Sequence, residues 1–304
     1  MELDEIKNIL IIGSGVMGSQ IGLLCSIHEY NVTLYDNSQK SQGESKEKLI
    51  KYTEELIDSK RISEQQAQEA LTRVKYTTNP EEAGFDSDLM SESLPENPKL
   101  KCEVFSQFKE ICPPHTIFTT NSSTLLPSML AAATGRVQQF AALHFHPLVW
   151  ENNLVEIMPH PKTDYGVVSL LKEFAESIEQ IPIILEKEYQ SYVFNTMLNA
   201  LNSAALELAS NSVASVEDID RAWMKTTNMK IGPFGVLDKI GLDVISNVTD
   251  YWAKVLGKRQ LRTNAKFVKR YVDKGRLGCK SGKGFYEYPN PKFEYTNFFS
   301  IPKK

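Results

Sequence analysis

Near its start the chain runs Asn8-Ile9-Leu10-Ile11-Ile12-Gly13-Ser14-Gly15-Val16-Met17-Gly18. Four consecutive apolar residues, three of them β-branched, have the pattern of a strand buried on both faces of a parallel sheet. They stop at a Gly-x-Gly-x-x-Gly turn. Residues 19–27 then read as a helix of small and apolar side chains, and Asn31-Val32-Thr33-Leu34-Tyr35 as a second strand closed by Asp36. Strand, turn, helix and strand together have the length of one βαβ crossover. In that setting Gly13 permits a tight turn, Gly15 lets backbone approach a pyrophosphate, and Gly18 lets the helix pack closely on the strand. A helix N-terminus offers unpaired N–H groups and partial positive charge to phosphates. Gly13, Gly15, Val16, Met17 and Gly18 are therefore candidate cofactor-binding positions. Asp36 stands where an acid would bind the 2′-hydroxyl of an adenine ribose. A carboxylate there repels a 2′-phosphate, which favours NAD over NADP, while the glycines alone also suit FAD.

Further strands are expected at residues 74–77, 89–91, 116–119, 140–145, 154–158 and 181–185. Helices are expected at 100–111 and 167–178, and one or two exposed helices rich in Lys, Glu and Gln at 40–70. Alternation of strands and helices predicts an α/β fold, a Rossmann-type doubly wound N-terminal domain. After Glu188 the strand signal ends. Helical patterns follow at 191–208, 216–226, 236–256 with possible breaks, and 265–274, so an all-α C-terminal domain is expected. The boundary is placed at 187, giving a cofactor-binding domain of residues 1–187 and a helical domain of residues 188–304.

Composition narrows the class. With 304 residues, 41% hydrophobic and 24% charged, the chain is not disordered, collagen-like or a coiled coil, and its length suits two domains. A net charge of −4 gives no electrostatic reason to expect nucleic acid. Cys25, Cys102, Cys112 and Cys279 are scattered without a Cys-x-x-Cys pair, which suits a reducing compartment better than disulfides or zinc. The longest apolar runs fall far short of the ~20 residues of a membrane helix, and the acidic N-terminus lacks a basic n-region. A cytoplasmic location and no membrane partner are expected.

A hydroxyl, an imidazole and a carboxylate follow or end predicted strands: Asn121-Ser122-Ser123-Thr124-Leu125, Leu143-His144-Phe145 and Leu154-Val155-Glu156. Ligands of an open α/β sheet sit at the carboxyl ends of its strands. An enzyme that removes hydride from a carbinol carbon needs a base for the hydroxyl proton, and histidine suits it because its ordinary pKa lies near working pH. A carboxylate on the second ring nitrogen would fix the tautomer and stabilise the imidazolium.

On these residues the chain resembles the L-3-hydroxyacyl-CoA dehydrogenase family, 3-hydroxybutyryl-CoA dehydrogenases included. The resemblance extends to Glu96-Asn97 before a helix, Asn195, Ile231-Gly232-Pro233-Phe234, Leu237-Asp238, Gly241-Leu242-Asp243 and Ser281-Gly282-Lys283-Gly284-Phe285-Tyr286. It implies His144 as catalytic base with Glu156 as its partner, Ser123 and Asn195 against the substrate, and Glu96 beside the nicotinamide. The implied reaction is reversible oxidation of an L-3-hydroxyacyl-CoA with NAD, in fatty acid metabolism, at a cleft between the domains of a homodimer.

The chain departs from the family's usual His-Phe-Phe-Asn-Pro, reading His144-Phe145-His146-Pro147-Leu148, and Trp150-Glu151-Asn152-Asn153 and Ser91-Glu92-Ser93 are also unusual. These departures keep two other readings open. One is a dehydrogenase of a free hydroxy acid, as in the L-gulonate and carnitine enzymes. The other is a non-catalytic, crystallin-like structural protein, against which the joint presence of Ser123, His144, Glu156 and Asn195 weighs. His146 is expected on the opposite strand face from His144, and no metal site is expected. Lys46, Lys48, Lys51 and Lys60 read as a solvated helix face or as contacts to CoA phosphates. Trp150 reads as a packed aromatic, and residues 281–284 as a turn that feeds Phe285 and Tyr286 into the core.

Overall fold

A computed structural model describes residues 1–300 of the chain. It divides into two compact units, Met1–Val193 and Phe194–Lys304. The first holds an eight-stranded sheet built from β1 (Asn8–Ile12), β2 (Asn31–Tyr35), β3 (Val74–Thr77), β4 (Leu89–Glu92), β5 (Ile117–Thr120), β6 (Phe140–Phe145), β7 (Leu154–Pro159) and β8 (Ile181–Ile184), in the order β3-β2-β1-β4-β5-β6-β7-β8. Side chains alternate across a strand, so Ile9 and Ile11 enter one apolar core while Leu10 and Ile12 enter the other. The uninterrupted apolar run of β1 follows from that burial on both faces.

Helices α1 (Val16–Ile27), α2 (Gln39–Asp58), α3 (Glu64–Thr72) and α7 (Tyr165–Ser177) cover the first core, supplying Ile21, Leu24, Leu49, Ala70 and Phe174. The short α4 (Pro80–Gly84), α5 (Pro98–Ile111) and the short α6 (Pro127–Leu130) cover the second with Ala83, Phe105, Phe108 and Leu130. Asn97 begins α5 by accepting the amides of Lys99 and Leu100, with Pro98 in the first turn, a favourable helix start.

The sheet is parallel except between β6 and β7, which run antiparallel. Residues 146–153 are the whole connection, and a parallel crossover needs about a dozen residues or more. That reversal faces the two strands carrying His144 and Glu156 toward each other.

The second unit is helical: α8 (Val193–Ser210), α9 (Val216–Thr227), α10 (Pro233–Ile240), α11 (Leu242–Leu256) and α12 (Arg259–Val272). The helical stretch expected at 236–256 breaks at Gly241, whose φ of 104° is open to glycine and strained for other residues. Two buried carboxylates brace this unit. Asp238 accepts the amides of Phe285 and Tyr286, and Asp220 those of Phe234 and Gly235 together with the Tyr286 hydroxyl. A Cβ on Gly284 would lie 2.0 Å from Asp238 Oδ1, so the turn at 281–284 delivers Phe285 and Tyr286 to the core. Among the described residues no helix is long and apolar enough to cross a membrane.

Candidate active site

The glycine turn joins β1 to α1 as the spacing requires. Gly13 has φ 95° and its amide donates to the Tyr35 carbonyl at 2.8 Å. A Cβ on Gly18 would stand 1.9 Å from the Gly13 carbonyl oxygen, whereas one on Gly15 would meet nothing within 4 Å. Gly15 is the N-cap of α1 and places no side chain over its first amides. Gly15 and Val16 are exposed there, while Met17 packs against the core. Open space beside free helix amides fits a pyrophosphate. Asp36 directly follows β2, and it also holds the turn: Oδ2 accepts the Ser14 amide and hydroxyl, each at 3.0 Å, and Oδ1 the Ser38 amide. A carboxylate accepts about four hydrogen bonds, so it retains capacity for a ribose hydroxyl.

At the carboxyl end of β6, His144 is the direct cross-strand partner of Glu156 on β7. His144 Nδ1 lies 3.1 Å from Glu156 Oε2. The imidazole is 7% exposed and the carboxylate fully buried. Glu156 Oε1 accepts the Val193 amide at 2.8 Å, and the Asn121 side chain accepts the Phe145 amide at 2.7 Å. Tyr192 stacks on the His144 ring, centroids 4.5 Å apart at 25°. Its hydroxyl donates to the Ser122 carbonyl at 2.7 Å. Burial, then the nearby carboxylates Glu96 and Glu156, push the Tyr192 phenol well above its usual range, so it is a neutral donor.

Glu96 is clamped by the loop after β5. Its Oε1 accepts the Ser122 hydroxyl and the Thr124 hydroxyl and amide. Burial pushes its pKa up, but the Ser122 and Thr124 hydroxyls and the Lys101 ammonium outweigh it and hold the carboxyl below the usual range. Lys101 Nζ, 3.4 Å from Glu96 Oε2, is 2.7 Å from Glu92 Oε1, and the Lys101–Glu92 pair is buried. Glu92 also accepts the Thr120 hydroxyl and the Leu94 amide, each at 2.6 Å. Ser123 sits half-buried on the same loop, between the two residues whose hydroxyls hold Glu96. Asn195 lies half-buried in the first turn of α8, in the second unit.

One expectation is overturned. His146 does not face away from His144: its Nε2 is 3.4 Å from Glu156 Oε2, and the two imidazole rings are 4.9 Å apart, edge to face. Residues i and i+2 of a strand share a face, so the alternation argued for the same side. Sequence reading also missed Tyr192, for which an aromatic just before a helix gives no signal. It noted Glu92 as an oddity at a strand end without pairing it to Lys101, nine residues on in the next helix. Trp150 packs against the core and lies against Tyr52, ring centroids 5.2 Å apart.

Residues 8–189 match the family described as 3-hydroxyacyl-CoA dehydrogenase, NAD binding domain, and residues 192–288 match its C-terminal domain. The chain belongs to the 3-hydroxyacyl-CoA dehydrogenase family. It is 29% identical over 292 residues to a probable 3-hydroxyacyl-CoA dehydrogenase of Caenorhabditis elegans, covering 94% of each chain. It is 29% identical over 288 residues to the mitochondrial hydroxyacyl-coenzyme A dehydrogenase of Sus scrofa, covering 93% of this chain and 91% of the relative. Among solved structures, the (S)-3-hydroxybutyryl-CoA dehydrogenase of Ralstonia eutropha superposes with TM-score 0.84 at 27% identity, covering 94% of this chain and 100% of that one. A diketoreductase described for substrate-directed dual catalysis of dicarbonyl compounds superposes with TM-score 0.87 at 38% identity, covering 93% and 99%. As a 3-hydroxyacyl-CoA dehydrogenase family member the protein is an NAD-dependent oxidoreductase, and the open glycine turn with Asp36 fits that cofactor.

Proposed function

We propose that this dehydrogenase interconverts an L-3-hydroxyacyl-CoA and its 3-oxoacyl-CoA, with His144 as general base and Glu156 as the group that holds it. The observation carrying this reading is the β6–β7 register, which sets His144 and Glu156 directly opposite each other with Nδ1 3.1 Å from the carboxylate. Bound NAD supplies the hydride acceptor. With Nδ1–H donating to Glu156, the Nε2 lone pair is free to take the hydroxyl proton, and the carboxylate stabilises the imidazolium that results. In the reverse direction that imidazolium returns the proton to the new alkoxide oxygen. Val193 and the strand pairing hold Glu156 in place, and Tyr192 braces the ring from its face. Glu96, kept ionised by its clamp, is assigned to the nicotinamide side. Ser123 and Asn195 remain assigned to the substrate by resemblance.

A free dicarbonyl or hydroxy acid is the second reading. Identity to the diketoreductase is higher than to the CoA-dependent relatives reported above, and residues 147–153 depart from the family pattern. Steady-state NADH oxidation with acetoacetyl-CoA, set against free 3-oxo acids, decides between them. Turnover with the thioester is the expected result, and turnover confined to free acids would replace the first reading by the second. Four free cysteines support a reducing, cytoplasmic setting, and the relatives' chemistry supports a role in fatty acid metabolism. A homodimer is assigned on α11, which exposes Val244, Val248, Tyr251 and Val255 at helical spacing.

A further inference from the structure

We propose that His144, His146 and Glu156 form a binding site for a divalent transition cation of the zinc class, and that its occupancy switches the dehydrogenase off. One ligand atom from each residue lies within 4.8 Å of the others. His144 Nδ1 and His146 Nε2 approach the same carboxylate oxygen, at 3.1 and 3.4 Å. Zinc holds imidazole nitrogen and carboxylate oxygen at about 2.0–2.2 Å in tetrahedral sites, which puts neighbouring ligand atoms about 3.4 Å apart. The two histidine–carboxylate separations are therefore close to ligand spacing before any cation arrives, and the two nitrogens, within 4.8 Å of each other, need to close further. Two imidazoles and a carboxylate are a ligand set of zinc sites with one open position, and imidazole nitrogen selects zinc, copper or nickel over magnesium or calcium.

The scaffold holds the set ready. Strand register fixes His144 against Glu156, and the Val193 amide on Oε1 is the kind of outer hydrogen bond that orients a ligating carboxylate. Switching-off follows from tautomer chemistry. In the working dyad the ring proton is on Nδ1 and the Nε2 lone pair is the base. A cation on Nδ1 leaves the neutral ring's one proton on Nε2, moved there through solvent, and the ring then cannot take the substrate's proton.

The test uses the full chain, titrated with Co²⁺ followed by visible absorption and with Zn²⁺ followed by calorimetry, Mg²⁺ serving as control. The expected result is one tight equivalent with tetrahedral Co²⁺ bands, displaced by Zn²⁺ and not by Mg²⁺. His146→Phe should weaken binding at least about 10-fold, the smallest loss seen when even outer partners of a ligand are removed. His146→Gln serves if the Phe variant does not fold. His115→Asn, at an exposed histidine beside Asp88, should leave the affinity unchanged. Absence of binding below millimolar cation, or equal affinity in wild type and the His146 variants, overturns the site. The inhibition arm rests on the catalytic reading: Zn²⁺ should stop turnover reversibly, with chelator restoring it. Binding at this site without inhibition upholds the site, and it overturns both the switch and His144 as the base.

Discussion

His144 is held on three sides by groups that define its chemistry: Glu156 on Nδ1, the Tyr192 ring on its face, and the His146 ring edge-to-face. Glutamine at this position keeps a polar side chain but cannot take a proton, so His144→Gln is expected to lower kcat by at least ~10²-fold. Steady-state NADH formation measures this, and unchanged turnover would remove His144 from the mechanism. Lys101 and Glu92 raise a different question, because both charges are out of water, at 1% and 0% exposure. Removing one partner of such a pair leaves the other charge buried and uncompensated, at a cost of about 3–5 kcal/mol. Lys101→Met should show a loss of that size in urea unfolding, and a loss below about 1 kcal/mol would mean that water reaches Glu92.

The β6–β7 hairpin turns a twelve-residue separation in sequence into a direct contact. The apolar periodicity of β6 and β7 is legible as two strands, and the short connection between them is enough to require antiparallel pairing. Register is not legible, because it is set by the loop's path and by which faces the cores demand, and a one-residue slip would turn Glu156 away. In the helical unit, Asp220 joins α9 to the start of α10 and to the Tyr286 turn. Burial raises its pKa from 3.8 to about 6. A raised folded-state pKa contributes stability that is full below the unfolded value and lost as pH rises through about 6. Asp220→Asn lacks this titration. The stability difference between wild type and variant should move in favour of wild type by about 2 kcal/mol between pH 7 and pH 4, as read by urea unfolding across that range. A pH-independent difference would show that the carboxyl is not held above its ordinary range.

Two units, each with its own apolar core, account for a chain of this length, since a single core stops growing near 250–300 residues. Among the described residues the apolar side of α11 stays exposed at Val244, Val248, Tyr251 and Val255, and contiguous exposed apolar surface marks an interaction site. For the homodimer proposed above, Val248→Lys should convert a sedimenting species of twice 34.4 kDa to one of 34.4 kDa at micromolar concentration. Equal dimeric masses for wild type and variant would move the proposed interface away from this helix, and a wild type of 34.4 kDa would overturn the proposed homodimer.

Local patterns sufficed for what depends on neighbours in the chain. The glycine turn, the doubly buried strands, the helical second half and the candidate imidazole, carboxylate and hydroxyl all follow from spacing, because steric and hydrogen-bond demands act over a few residues. Only the folded chain decided which side chains meet: Glu156 between two histidines, Tyr192 over His144, and Lys101 against Glu92. Those contacts join distant segments whose approach is governed by core packing and strand pairing, and neither leaves a mark in the local order of residues.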